Sequence, residues 1–223
     1  MSPGADESTA IATLLEIARY YSTHRPIRTV WFVALSGHYQ ALAGAREFVE
    51  KYYFSDEVQN DQIKPVLFIG LDFSTDERSL SILYAGSFYE NYGTVTANRW
   101  NWIAHQIFDV YLPRIQNSTK INITVDNGLF GGSGWWGAVP RPFILDSEPV
   151  AIAHGLSISL KTSRSYGNTL GSPFDVFSHV NFSNLVPQVN LSFCLIYSLI
   201  NEPQWGIAWS SIKPLRSIYS QLD

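Results

Sequence analysis

The sequence predicts an α/β protein built in three layers (α/β/α), a mostly parallel central sheet covered by helices on both faces. Three observations predict it. Strand-length runs recur at Val30–Leu35, Val66–Leu71 and Gly155–Leu160, and the first two are continuously apolar, as strands buried on both faces are. Between the runs lie stretches with apolar residues at three- and four-residue steps, the spacing of one helix face. The two patterns alternate along 223 residues, as they do when helices cross over a parallel sheet.

In chain order, Ser2–Glu7 reads as a turn, and Ser8 or Thr9 caps a helix to about Tyr21 with Ile11, Leu14, Leu15 and Ala18 on one face. A polar loop, Ser22–Arg28, leads to the strand Val30–Leu35, which Ser36-Gly37 ends. From Ala41 the period changes to that of a helix, with Leu42, Ala45, Phe48, Val49 and Tyr52 on its face. Lys64–Phe73 is a second strand whose apolar run ends at Asp72, and Ser79–Ala85 alternates as a third. Asn98–Leu112 has helical spacing that Pro113 should stop. Ile121–Val125 reads as a short strand inside an insertion, residues 117–142, that carries the glycine-rich aromatic loop Gly128–Gly137. Gly155–Leu160 is the last strand, and a helix follows over Phe182–Asn201 with Pro187 early enough to be tolerated. Residues 1–201 thus form one domain, and residues 202–223 a C-terminal extension containing Trp205 and Trp209.

Composition excludes some functions. Fifteen basic against nineteen acidic residues, with no basic run, argue against a nucleic-acid partner. The glycine-rich loop lacks the spacing and lysine of a phosphate loop, and reads instead as a flap presenting Trp135 and Trp136 or as a surface insertion. The single cysteine, Cys194, sits in an apolar run and reads as a buried small hydrophobe. Four glycosylation sequons, at Asn117, Asn122, Asn181 and Asn190, lean toward an extracytoplasmic location. No signal peptide or transmembrane run is read in the sequence, so any membrane attachment is expected through segments outside it. The opening Ser2-Pro-Gly-Ala-Asp reads as the inside of a motif, and a longer parent protein is expected.

In open α/β sheets, ligands sit beyond the carboxyl ends of the strands. Gly37-His38-Tyr39-Gln40 occupies that position after the first strand, and Asp72 after the second.

The chain resembles the zinc-dependent aminopeptidases of family M28, which also embraces glutaminyl cyclases. Ser2-Pro-Gly-Ala-Asp-Glu-Ser-Thr-Ala, followed by Leu14-Leu15-Glu16-Ile17-Ala18-Arg19, is similar to that family's S/A-P-G-A-D-D-N-A-S-G and L-L-E-x-A-R. Arg28-Thr-Val-Trp-Phe-Val-Ala-Leu-Ser-Gly with Ala41-Leu-Ala-Gly-Ala-Arg is similar to R-T-V-x-F-V-A-F-x-G-E-E-x-G-L-x-G-S. Gly155-Leu-Ser-Ile-Ser-Leu, Ser172-Pro-Phe-Asp175 and Asn181-Phe-Ser-Asn-Leu are similar to its ending, G-I-P-x-V-S-L, H-T-P-x-D-T and D-F-x-x-L. The likeness runs in order over residues 2–201 and implies the phosphorylase/hydrolase-like zinc-exopeptidase fold.

The resemblance implies two zincs bridged by a carboxylate and a water, with a glutamate as general base. Position by position, this sequence departs from that set. The bridging aspartate falls on Glu7, the paired glutamates on His38 and Tyr39, the last histidine on Glu148, and the substrate-facing histidine on Gly171. Asp72 alone keeps the family's residue, and the first histidine would lie upstream of Ser2. Losing the general base alone removes a contribution of about 10²–10⁴. The resemblance therefore extends to non-catalytic relatives such as nicastrin and the attachment subunit of the GPI transamidase.

Two functions follow. In one, the chain is a pseudoenzyme domain, part of a membrane-anchored extracytoplasmic protein, that binds a protein or peptide partner through the old cleft or the Trp135–Trp136 flap, with no cofactor. In the other it is a divergent zinc aminopeptidase whose ligands are drawn from Glu7, His38, Asp72 and Glu148. His154, His179, His105 and His24 are read as structural or surface residues, and Asp175 as a residue that holds its loop.

Overall fold

The computed structural model describes residues 4–6, 8–83, 103–126, 145–163 and 172–202. Four strands form one sheet: β1 (Phe68–Asp72), β2 (Ser79–Leu83), β3 (Thr124–Asp126) and β4 (Ser157–Thr162), in the order β1-β4-β2-β3. β1 pairs with β4 and β2 with β3 in parallel, while β2 and β4 are antiparallel, so the sheet is mixed and mostly parallel. β4 is buried along its whole length, as its central place requires.

The structure departs from the expected pattern at four places, three of them in the flanking helices, each for a physical reason. Helix α1 (Ser8–Thr23) buries Thr9, Thr13, Ile17 and Tyr21, not the expected face, and Leu15 is 64% exposed. Threonine can face the core here because Thr9 Oγ1 donates to the carbonyls of Asp6 and Phe73 at 2.7 and 2.8 Å, and Thr13 Oγ1 to that of Thr9 at 2.8 Å. The helix is thereby pinned to the carboxyl end of β1.

Helix α2 (Ala43–Phe48) continues into a π-helical turn, Val49–Tyr53. The wider turn moves the next core residue one position along, so Tyr53 is buried and the expected Tyr52 is 39% exposed. Gly44 N–H donates to Ser36 O at 3.0 Å, and a Cβ at Gly44 would collide with that carbonyl. Ser55 caps the short α3 (Asp56–Gln59) by accepting the Val58 N–H.

Pro113 does not stop the helix expected over residues 98–112; the residues before 103 lie outside the described ones. A π-helical stretch, Gln106–Tyr111, runs directly into α4 (Leu112–Thr119), with Pro113 in its first turn. The ordinary ladder is already interrupted there, so a missing N–H leaves no bond unmade.

The fourth departure matters most. Residues 29–37 form no strand, although they carry no turn or bend either. No backbone hydrogen bond joins Thr29–Leu35 to another described residue. A strand needs a partner for its N–H and C=O groups, and no described residue supplies one for this run.

Helix α5 (Glu148–Ile152) packs on β4 and α2, and α6 (Phe182–Ile200) on β2 and α4. By length and a mean hydropathy of 1.2, α6 would also suit a membrane, but its contacts make it a core helix. Gln188, fully buried in it, donates from Nε2 to Ser74 O at 3.2 Å and Glu77 O at 2.8 Å, and its Oε1 accepts from Thr162 Oγ1 at 2.7 Å. One side chain thus ties α6 to the β1–β2 connection and to β4. Gln188→Leu removes all three bonds and takes the donor from Glu77 O, while Ser74 O and Thr162 Oγ1 keep their bond to each other at 3.0 Å; it is expected to lower unfolding free energy by about 1–3 kcal/mol in urea titration. A loss below about 0.5 kcal/mol would show that the tie is dispensable.

Candidate functional site

The carboxyl ends of β1 and β4 carry a polar cluster. Asp72 closes β1, and the parallel register sets it opposite Lys161 of β4. The Lys161 ammonium donates to Asp72 Oδ2 at 2.8 Å, with the lysine side chain 11% and the aspartate 45% exposed. A lysine so buried needs an anionic partner, and the register supplies one.

His38 stands beside this pair. Gly37, at φ +70°, starts the turn that presents it, and Ala41 and Leu42 close that turn in left-handed conformations at φ 53° and 58°. Leu42 N–H returns to His38 O at 3.2 Å and Ala43 N–H to Gly37 O at 3.1 Å. Strained non-glycine backbone of this kind persists only where surrounding contacts hold it, and Leu42 is fully buried. His38 Nδ1 lies 3.2 Å from Asp146 Oδ1, and its ring meets Tyr39 edge-on at 4.9 Å. Tyr39 itself is 67% exposed. The Asp146 carboxylate raises the His38 pKa against the opposing effect of burial; Asp72 adds to the rise and Lys161 works against it. His38, Asp146, Asp72 and Lys161 therefore act on one another electrostatically.

Glu148 occupies a different environment. It is fully buried, and its Oε1 accepts the Leu145 N–H at 3.1 Å, closing the turn that leads into α5. Asp146, two residues earlier, faces His38. Among the expected site residues, Glu7, Gly171, Trp135 and Trp136 lie outside the described ones. Next to Glu7, Asp6 is buried; its Oδ1 accepts the Thr75 N–H at 2.7 Å and its own N–H donates to Asp175 Oδ1 at 2.7 Å. Asp175 thus holds the N-terminal turn against the end of β1. Asp146 and Lys161 are the two site residues that sequence reasoning missed. The signal for Lys161 was a charge directly after the strand-length run Gly155–Leu160, where a buried position calls for a counter-ion.

The other histidines are accounted for locally. His24 stacks on Tyr20 at 4.1 Å, His105 pairs with Asp109 at 2.6 Å, and His179 Nδ1 lies 2.7 Å from Phe174 O. His154 takes a left-handed φ of 63° just before β4. Burial pushes the Cys194 thiol pKa up, which suits an unreactive side chain.

No group of three or more His, Cys, Asp or Glu side chains among the described residues is arranged to hold a metal ion. Among the described residues the donors do not fit a zinc pair, since Asp72 already neutralises a protein cation and His38 is held by Asp146. A cation on Asp72 would meet the ammonium at about 4 Å, a repulsion of roughly 4 kcal/mol per unit charge at an effective dielectric near 20.

The raised His38 pKa has a checkable consequence. The NMR titration midpoint of its ring is expected above the ordinary value of about 6.5, and Asp146→Asn is expected to lower it. The His38–Asp146 contribution to stability is complete below the unfolded-state pKa and fades as pH rises through the folded-state one. An unmoved midpoint in Asp146→Asn would refute the pairing.

The comparisons agree with the fold. The model of Peptidase family M28 matches residues 1–134, more than half of the chain. No curated protein matches it. The structure of BSAP, a zinc aminopeptidase from Bacillus subtilis, superposes with a TM-score of 0.56 at 12% identity, covering 89% of this chain. The chain spans 42% of that structure's own length. The zinc in that description belongs to that protein; here the fold is what the likeness carries. On the family match, with the mixed sheet and its flanking helices in agreement, the chain belongs to peptidase family M28.

Proposed function

We propose that this family member does not catalyse peptide hydrolysis, and that it binds a peptide or protein partner. The Lys161–Asp72 pair carries the reading: the acid that keeps the family's residue holds a protein ammonium at 2.8 Å. His38 and Tyr39, at the positions that resemble the family's paired glutamates, supply neither a carboxylate base nor a carboxylate ligand. A neutral or protonated imidazole paired to Asp146 is suited to hydrogen-bonding a partner's polar end. The exposed Tyr39 ring beside it offers an apolar surface. The same reading places the domain in an extracytoplasmic, membrane-anchored protein; the exposed Asn117, Asn122, Asn181 and Asn190 support that placement.

Metal content tests the reading. Protein purified without chelator or affinity tag and reconstituted with zinc is expected to retain less than about 0.1 equivalent and to leave leucine p-nitroanilide intact. Lys161→Met, which replaces the pair's cation by an apolar side chain of similar length, is expected to remain folded and still hold no zinc. One tightly held equivalent, lost together with aminopeptidase activity in His38→Ala, would overturn it.

A further inference from the structure

The four glycosylation sequons are alike in sequence and unlike in structure. A transferase that modifies asparagine must hold the acceptor amide and the hydroxyl two residues on together. In a helix, residues i and i+2 point to different faces, whereas in an extended chain they share one. Asn190 and Ser192 lie inside α6, with Asn190 exposed and Ser192 fully buried, so the two groups point apart. Asn117 and Thr119 lie in the last turn of α4, where the Thr119 hydroxyl donates to Ile115 O at 2.7 Å. Asn181 is the N-cap of α6; its Oδ1 accepts the Ser183 N–H at 3.1 Å, so the helix that it starts holds the carboxamide.

Asn122 differs on each count. Lys120, at φ 58°, ends α4, and β3 begins at Thr124, so Asn122 belongs to neither element. Burial alternates along this stretch: Asn122 and Thr124 are exposed, and Ile123 between them is 5% exposed. That is the alternation of an extended chain, with Ile123 anchored in the core and Asn122 and Thr124 turned to solvent on one face. Neither of these two side chains makes a hydrogen bond to another described residue.

We infer that Asn122 is the acceptor of an N-linked oligosaccharide, added to the folded domain. The inference rests on the extracytoplasmic placement above and selects one acceptor among the four sequons. In the transfer, Asn122 Nδ2 bonds to the anomeric carbon of a lipid-linked oligosaccharide phosphate. The bond from that carbon to the phosphate oxygen breaks, the lipid phosphate leaves with the electron pair, and one amide proton passes to solvent. Thr124 is a positioning residue, whose hydroxyl the transferase holds beside the amide.

The test incubates the purified, folded chain with a single-subunit oligosaccharyltransferase and a lipid-linked oligosaccharide. Occupancy at each sequon is read by intact mass and peptide mapping. Asn122 is expected to be at least about tenfold more occupied than Asn117, Asn181 or Asn190, because the helical sequons require local opening. Short synthetic peptides centred on each of the four sequons are expected to lose that preference. Asn122→Gln and Thr124→Val are each expected to abolish the modification of the folded chain, and Thr124→Ser to retain it. An unmodified Asn122, or equal occupancy at Asn190, would overturn the inference. The same preference among the peptides would also overturn it, since local sequence alone would then set the choice. The placement is tested separately by adding protease to intact cells that make the protein. A domain degraded there, yet isolated without sugar on Asn122, overturns the inference and leaves the placement standing. A domain degraded only after lysis overturns both.

Discussion

The parallel pairing of β1 with β4 organises this molecule. It joins residues 89 positions apart and sets Phe68 against Ser157 and Asp72 against Lys161. The same pairing places Ser74, just beyond β1, where its N–H reaches Thr162 Oγ1 at 2.8 Å, and Thr162 in turn bonds Gln188 of α6. The N-terminal turn hangs on this junction too, through Thr9 to Phe73 O and through Asp6 to the Thr75 N–H. A shift of one residue in the β1–β4 register would invert the pleat and separate Asp72 from Lys161. It would also detach α1 and α6 from the sheet end, so the fold and the polar cluster share one constraint.

Within that frame, the described charges at the strand ends are paired with one another. Two carboxylates, Asp72 and Asp146, each face one protein cation or potential cation, Lys161 and His38. In a metal centre, carboxylates converge and leave their charge for an incoming ion. Among the described residues the charges are matched by side chains from within the chain, and Glu148, fully buried, serves a turn. Tyr39, 67% exposed beside His38, adds an apolar surface to this cluster.

Much of the fold was legible locally. The strands read at Lys64–Phe73 and Gly155–Leu160 and the helix read over Phe182–Asn201 are found at Phe68–Asp72, Ser157–Thr162 and Phe182–Ile200; apolar runs and helical spacing marked them, because burial selects such patterns. The motif order from the N-terminal turn to the last helix was enough to indicate the family. Misreadings came where a local rule met a non-local compensation. Threonines went into the core of α1 because carbonyls from Asp6 and Phe73 received their hydroxyls. Tyr53 replaced Tyr52 because a π turn changed the helix period. Pro113 was absorbed where the helical ladder was already broken. The candidate site was half legible: His38 and Asp72 stand at the strand ends as spacing suggests, but neither of their partners follows from spacing.

By itself, the sequence determined the α/β class, the family and the chain positions at which chemistry was to be sought. It also settled that the paired-glutamate positions hold His38 and Tyr39. Only the tertiary structure decided that Asp72 meets Lys161, that His38 meets Asp146 in place of Glu148, and that Val30–Leu35 makes no backbone hydrogen bond to another described residue. Periodicity reports which face of an element is buried. Partner choice between elements depends on the register and packing of segments about a hundred residues apart, and no local pattern encodes that.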